Sequence, residues 1–135
     1  MLIVDASVAV KWVLDEQGSE AAVALGSQDT LAAPEFWLIE AANVLWKRSR
    51  RGEISAAEAT AALEALQGAP VAPIALGAVL PEAIRYAFML DHPVYDCIYI
   101  AAAVLNNAVL VTADRRLAGV ASQHAAVAPH VRALG

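Results

Sequence analysis

Short apolar runs alternate along the chain with longer stretches in which apolar residues recur at helical spacing. Such short runs are typical of buried strands, and the longer stretches are typical of amphipathic helices. Because strands and helices alternate, we expect an α/β protein with a parallel sheet and helices on both faces. Functional sites in such sheets gather at the carboxyl ends of the strands. The predicted strands number four to five, the last being the least distinct: Leu2–Val4, Thr30–Ala33, Val71–Leu76, Ala108–Thr112 and Val127–Val131.

Residues typical of helix ends lie in the segments between these strands. Ser7 is a candidate N-cap for a helix over Val8–Glu16, and Pro34 suits the first turn of a long helix that reaches Arg51. Pro73 places the third strand at an edge of the sheet, because proline has no N–H to give a neighbouring strand. The other predicted helices are Glu20–Ser27, a capping-box helix from Ser55 to Gly68, Leu80–Leu90, Pro93–Asn106 and a short turn over Asp114–Ala118.

Composition supports a helix-rich chain that forms one domain over residues 1–135. Hydrophobic residues make up 59% of it, and 32 of them are alanine, the best helix former. The longest uncharged stretches are broken by Gly and Pro or by Asn106-Asn107, so no membrane span or signal peptide is predicted. Cys97 is the only cysteine, which excludes a disulfide scaffold and favours the cytoplasm.

Four acidic residues stand out by position. Asp5 follows the first strand directly, and Asp114 lies two residues beyond the fourth, so both belong at the carboxyl edge of a parallel sheet. Asp96 falls in the first turn of a helix, and Glu40 lies among apolar neighbours, where an unpaired carboxylate is costly. Each residue alone also has a structural explanation, as a helix cap, a partner of the helix dipole or a paired acid.

Taken together, the four carboxylates predict a metal site. Carboxylates that lie close together repel one another, and a hard divalent cation removes that repulsion. Oxygen ligands without histidine or cysteine favour Mg²⁺ or Mn²⁺ over zinc. Water bound to such an ion is more acidic and can attack a phosphodiester.

Four segments carry a recognisable signature, in order along the whole chain. They are Ile3–Ser7, Pro34–Asn43 with Glu40, Val94–Tyr99 with Asp96, and Leu110–Asp114. With these segments the chain resembles the PIN-domain ribonucleases, and most closely the VapC-type toxins of bacterial toxin–antitoxin pairs. The resemblance implies a three-layer α/β/α sandwich around a parallel sheet, with the acids in one groove.

The resemblance also implies roles for individual residues. Asp5, Glu40, Asp96 and Asp114 would be the catalytic, metal-binding carboxylates, and Ser7, Asn43 and Thr112 would support them. A metal-activated water would cut RNA, leaving a 5′-phosphate and a 3′-hydroxyl. Family members often cut tRNA or ribosomal RNA, are usually homodimers and are inhibited by a small antitoxin that inserts a segment into the groove.

A net charge of −5 argues at first against an RNA substrate. Without the four site carboxylates, however, ten acids remain against nine bases. The bases that could contact RNA or antitoxin form two clusters; alternatively, the first cluster stabilises a helix C-terminus. The clusters are Lys47, Arg48, Arg50 and Arg51, and Arg115 with Arg116.

Other functions remain open. A PIN nuclease of RNA maturation would share every one of these features, and a non-catalytic binding module could keep the fold. A phosphatase of the haloacid dehalogenase type also begins with an aspartate after a strand. That chemistry prefers a second aspartate two residues later, where this chain has Ser7.

Overall fold

The computed structural model describes residues 1–135 and contains one parallel sheet of five strands. The order β3-β2-β1-β4-β5 places β1 at the centre and β3 at an edge, as Pro73 predicts. Seven helices flank the sheet in the predicted α/β/α arrangement. The strands are Leu2–Val4 (β1), Leu31–Pro34 (β2), Val71–Ile74 (β3), Val109–Thr112 (β4) and Val131–Ala133 (β5).

The helices differ in length and in how deeply they are buried. None is both long and apolar enough to cross a membrane by itself, and only α5 with α6 meets that criterion as a pair, bent by 116°. They are Ala6–Val13 (α1), Ser19–Gln28 (α2), Trp37–Arg50 (α3), Ala56–Gln67 (α4), Val79–Leu90 (α5), Val94–Leu105 (α6) and Arg115–Ser122 (α7), with a 3₁₀ turn at Ala128–His130.

Helix α6 lies against the centre of the sheet, in contact with β1, β2 and β4. Every residue from Cys97 to Ala103 is buried, and the last three are alanines. Small side chains let a helix approach its neighbours closely, which explains why the alanine-rich composition is compatible with a dense core. One cluster of 34 buried apolar residues joins the helices to both faces of the sheet.

The first helix begins two residues before its predicted start. Asp5, with extended backbone, is the N-cap of α1, and its side chain accepts a hydrogen bond from the Val8 N–H at 3.2 Å. Ser7 lies inside the helix, so the prediction that Ser7 is the cap is wrong. The helix ends at Val13 rather than Glu16, because Leu14 is already extended and its carbonyl accepts from the Ser19 hydroxyl at 2.8 Å.

Pro34 belongs to β2 and does not open the following helix, which begins at Trp37. Its missing N–H is no loss at the last position of a strand, and the next residue, Glu35, donates to the Ile74 carbonyl at 2.9 Å.

At the other end of the chain, β5 begins only at Val131, where Leu110 is its first partner on β4. The segment after Asp114 forms a full helix to Ser122, longer than the predicted short turn.

Candidate active site

A cleft of about 450 Å³ opens at the carboxyl edge of the sheet and contains all four predicted carboxylates. Asp5 and Asp114 reach it from the ends of β1 and β4, while Glu40 and Asp96 reach it from the first turns of α3 and α6. Ser7 and Asn43 also line it. Residues separated by up to 109 positions in the sequence therefore share one open cleft.

Asp5 is held by hydroxyl groups on both of its oxygens. Ser7 Oγ donates to Oδ1 and Thr112 Oγ1 donates to Oδ2, each at 2.5 Å. Asp5 is only 7% exposed and Thr112 is fully buried. Two short, charge-assisted hydrogen bonds of this kind fix the orientation of a carboxylate. The predicted supporting residues Ser7 and Thr112 thus contact Asp5 directly.

Burial dominates the ionisation of Asp5. It raises the pKa to about 6 from 3.8, against the opposing effects of the hydrogen bonds from Ser7, Thr112 and the Val8 N–H. The negative charge of Asp96 adds a smaller increase. A cation that binds beside such a carboxylate stabilises its charged form.

The same hydroxyls connect the turn after β4 to the turn after β1. Ala113 N–H donates to Ser7 Oγ and Asp114 N–H donates to Thr112 Oγ1, both at 3.0 Å. Asp114 in turn caps α7, with Oδ1 accepting from the N–H groups of Arg116 at 3.0 Å and Leu117 at 3.1 Å. The cap explanation is therefore correct for Asp114, and the residue also faces the cleft.

Glu40 is half-buried and paired with Tyr99. The Tyr99 hydroxyl donates to Glu40 Oε1 at 2.6 Å and joins α6 to α3. Burial raises the pKa of Glu40 despite this bond, and the charges of Asp96 and Asp5 raise it further. Burial, followed by the Glu40 charge, also raises the pKa of Tyr99 far above its usual value, so the phenol stays protonated and acts as a donor.

Asp96 is more open than Asp5, with a side chain 37% exposed. Its Oδ2 lies 2.7 Å from Nε2 of His92, which precedes the N-cap of α6. The histidine side chain is 10% exposed, so it is packed into the structure beside Asp96.

The donor set suits a hard divalent ion, since all four side chains present carboxylate oxygen to one cleft. In the geometry described here, no three His, Cys, Asp or Glu side chains converge closely enough to ligate a single ion. Asp5, Asp96 and Glu40 are each engaged by a neighbouring side chain, namely Thr112, His92 and Tyr99 respectively. The cleft therefore offers oxygen donors of the type that a hard divalent ion prefers, without a preformed triad.

Comparison with known proteins identifies the family. Residues 2–123 match the PIN domain model. The chain belongs to the PIN domain family. This PIN domain is 34% identical over 120 residues to Ribonuclease VapC3 of Pyrobaculum aerophilum, covering 87% of this chain and 92% of that protein.

Two solved structures share the fold of this PIN domain. One is PAE2754 of P. aerophilum, with a TM-score of 0.70 and 27% identity, covering 88% of this chain and 78% of that one. The other is a toxin–antitoxin complex from Klebsiella pneumoniae, with a TM-score of 0.64 and 14% identity, covering 98% of this chain and 96% of that one.

The predicted basic residues of the PIN domain divide into two groups. Lys47 and Arg48 line the cleft from the last turn of α3. Arg50 stacks on the Trp46 ring at 5.3 Å, outside the cleft. The other cations that lie outside it are Arg51, Arg115 and Arg116, although Arg115 lines a neighbouring cavity.

Sequence reasoning missed four residues of the cleft region. Lys11, Glu16 and Tyr99 line the cleft, and His92 contacts Asp96. The one available signal is local: His92 lies four residues before Asp96, just ahead of the N-cap of α6 at Pro93.

Proposed function

We propose that this PIN domain is a ribonuclease of the VapC type and the toxin of a toxin–antitoxin pair. The observation that carries the proposal is the gathering of Asp5, Glu40, Asp96 and Asp114 in one cleft from four different elements. The relative named Ribonuclease VapC3, 34% identical over most of both chains, supports the same activity. The single core also supports a one-domain enzyme.

Activity would depend on Mg²⁺ or Mn²⁺. Asp5 and Asp96 would hold the principal ion, with Asp114 and Glu40 completing the site or orienting water. When bound, a divalent ion supplies an acidified water and neutralises charge on the phosphodiester. Asp5 suits this role because Ser7 and Thr112 fix both of its oxygens and burial disfavours its uncompensated charge.

The protein side chains would position the reacting groups. A water oriented by Glu40 or Asp114 attacks phosphorus, and the bond from phosphorus to the 3′ oxygen breaks in line with it. The attacking oxygen stays on phosphorus as part of a 5′-phosphate, and its proton passes to the orienting carboxylate. The departing oxygen takes a proton from solvent and leaves as a 3′-hydroxyl. Tyr99 keeps the Glu40 carboxylate in one orientation throughout, because its hydroxyl stays protonated.

RNA would lie along the basic side of the cleft. Lys47 is exposed, lines the cleft and forms no ion pair, so it can contact a backbone phosphate. Asn43, one helical turn from Lys47, lines the same wall and can donate to phosphate or ribose. A structured RNA such as tRNA or ribosomal RNA is the proposed substrate.

Two protein partners are proposed. The first is a small antitoxin with a segment that occupies the cleft, consistent with the fold shared with a toxin–antitoxin complex. The second is another copy of this chain, packed on the exposed face of α5. Leu80, Ile84 and Phe88 recur there every four residues and are 43%, 51% and 83% exposed, which makes an apolar stripe suited to a symmetric dimer.

The proposed activity is tested by RNA cleavage with purified protein after removal of bound metal. We expect cleavage only when Mg²⁺ or Mn²⁺ is added, with loss of at least about 100-fold in Asp5→Asn. Asparagine preserves the cap on α1, so the variant should fold. Asp15→Asn removes an equal charge from an exposed loop outside the cleft and should cut normally. Equal cleavage by wild type and Asp5→Asn would refute the proposal.

A further inference from the structure

A second group of charges lines the same cleft as the four carboxylates. We name Lys11, Glu16 and Arg48 the rim cluster; all three residues line the cleft. Arg48 Nη1 lies 2.6 Å from Glu16 Oε2, and its Nη2 lies 3.4 Å from Oε1. Lys11 Nζ lies 3.2 Å from the same Oε1. One carboxylate is thus held by a guanidinium fork and an ammonium at once.

The rim cluster is built into the fold and is not an assembly of loose surface side chains. The three side chains are only 17% to 26% exposed. The aliphatic stem of Lys11 packs over Gly18, where a Cβ would lie 3.3 Å from Cδ, and the φ of 89° there also favours glycine. Lys11 Nζ also donates to the Gln17 carbonyl at 2.7 Å.

The loop that carries Glu16 is held as firmly. The backbone N–H of Glu16 donates to Ser19 Oγ at 3.0 Å, and the Ser19 hydroxyl donates to the Leu14 carbonyl at 2.8 Å. The hydrogen bond from Arg48 is the main reason that the pKa of Glu16 lies below its usual value, so the group stays charged at neutral pH. The carboxylate is therefore presented to the cleft as a fixed anion.

A guanidinium fork and an ammonium around one oxyanion form the arrangement with which proteins also bind phosphate. We propose that Lys11 and Arg48 form a binding site for a nucleic-acid backbone phosphate, and that Glu16 occupies this site until a phosphate displaces it. The inference rests on the proposed function and adds to it a subsite beside the four carboxylates, with Glu16 as an internal competitor of the substrate.

Charge balance explains what such a competitor would do. Glu53 also pairs with Arg48, at 3.4 Å from its Nε, so two acids offset the two cations of the rim cluster. Lys47 is then the one cation that lines the cleft without an ion pair. An RNA strand reaches Lys11 and Arg48 only by replacing Glu16, which makes binding weaker but more selective for a strand that extends to both places.

The test measures RNA binding rather than cleavage. A labelled single-stranded RNA is titrated, in chelator and over a range of salt concentrations, with the full chain carrying Asp5→Asn. Adding Glu16→Gln should tighten binding by roughly fivefold at low salt, as expected for one unit charge near a phosphate. The slope of log affinity against log salt should steepen by about 0.7 for each additional phosphate that the protein neutralises.

Three variants make the result specific. Glu53→Gln removes a carboxylate from the same Arg48 outside the cleft and should change binding much less. Glu16→Asp keeps the charge and should leave binding near that of the parent. Arg48→Ala in the Glu16→Gln background should abolish the increase in affinity. Thermal unfolding and circular dichroism confirm that each variant is folded.

Unchanged or weaker binding in Glu16→Gln would overturn the inference, as would an equal increase in Glu53→Gln. Because the measurement needs no catalysis, it also separates the two proposals. If the wild-type chain binds RNA but cuts none, the proposed ribonuclease activity fails while the contrast between Glu16→Gln and Glu53→Gln still tests the subsite.

Discussion

The Thr112 hydroxyl donates to Asp5 Oδ2 at 2.5 Å and so ties the end of β4 to the end of β1, its neighbour in the sheet. The same hydroxyl oxygen accepts the Asp114 N–H at 3.0 Å. One buried hydroxyl therefore sets the positions of two cleft carboxylates that lie 109 residues apart in the chain.

Replacing Thr112 with valine keeps the shape of the side chain and removes both of these bonds. We expect RNA cleavage to fall about 10- to 100-fold, as for partners that orient metal ligands. The free energy of unfolding should fall by about 1–3 kcal/mol, because the buried Asp5 Oδ2 and the partly buried Asp114 N–H lose their partner. Thr112→Ser should restore much of the cleavage rate and much of the free energy of unfolding. Thr60→Val removes a hydroxyl on exposed α4 and serves as the control; an equal loss there would contradict the prediction.

The raised pKa of Asp5 predicts a pH dependence of stability. In the folded protein the pKa is about 6, above the value of 3.8 expected in the unfolded chain. The stability that Asp5 contributes in its protonated form is fully present below pH 4 and is lost as the pH rises through 6. Relative to Asp5→Asn, wild type should lose about 3 kcal/mol across this window, at about 1.36 kcal/mol per pKa unit.

Urea unfolding of both proteins between pH 4 and pH 8 checks this expectation. Saturating Mg²⁺ should shrink the difference at neutral pH, since the ion favours the charged carboxylate. Two stability curves that stay parallel over the whole range would show that burial does not govern the ionisation of Asp5.

Tyr99→Phe tests whether the Tyr99–Glu40 hydrogen bond serves positioning. The ring and its contact with Phe36, at 5.2 Å between centroids, are retained, and only the donor to Glu40 is lost. We expect kcat to fall about 10- to 100-fold with little change in KM, because the loss affects the orientation of Glu40 rather than the RNA contacts. Tyr86→Phe, a buried tyrosine on α5 outside the cleft, is the matched control. A rise in KM alone would argue against positioning.

The two groups of bases should behave differently toward RNA. Lys47→Ala should weaken binding of all RNAs and reduce the salt slope by about 0.7, because Lys47 lines the cleft and forms no ion pair. Arg51→Ala removes an equal charge four residues later, outside the cleft, and should change binding less. Binding measured by fluorescence anisotropy at several salt concentrations distinguishes them, and equal effects would place the RNA outside the cleft.

Local signals account for what the sequence predicts well. The apolar runs of β1 and β4 each lead within two residues to an acidic side chain, and parallel strands bring their carboxyl ends to one edge. That is enough to place Asp5 and Asp114 together. Local signals do not fix the ends of helices, because two alternatives can fit equally well. Asp5 and Ser7 are both good caps, and Pro34 fits a strand end as well as a first helical turn.

Contacts between distant side chains account for what the sequence does not predict. Tyr99 meets Glu40 across 59 positions, and Arg48 meets Glu16 across 32. Helix α6 is apolar on nearly every side, so its periodicity does not single out Tyr99 as the residue that faces the cleft. Lys11 and Glu16 resemble any surface pair until the fold brings α3 beside α1.

The strand order has a consequence for biosynthesis. Because β1 lies between β2 and β4, Asp5 obtains its Thr112 partner only after nearly the whole chain has left the ribosome. A polypeptide that ended before β4 would leave one edge of β1 unpaired and would lack both Thr112 and Asp114. The strand order therefore makes the assembly of the four carboxylates a late step of folding during synthesis.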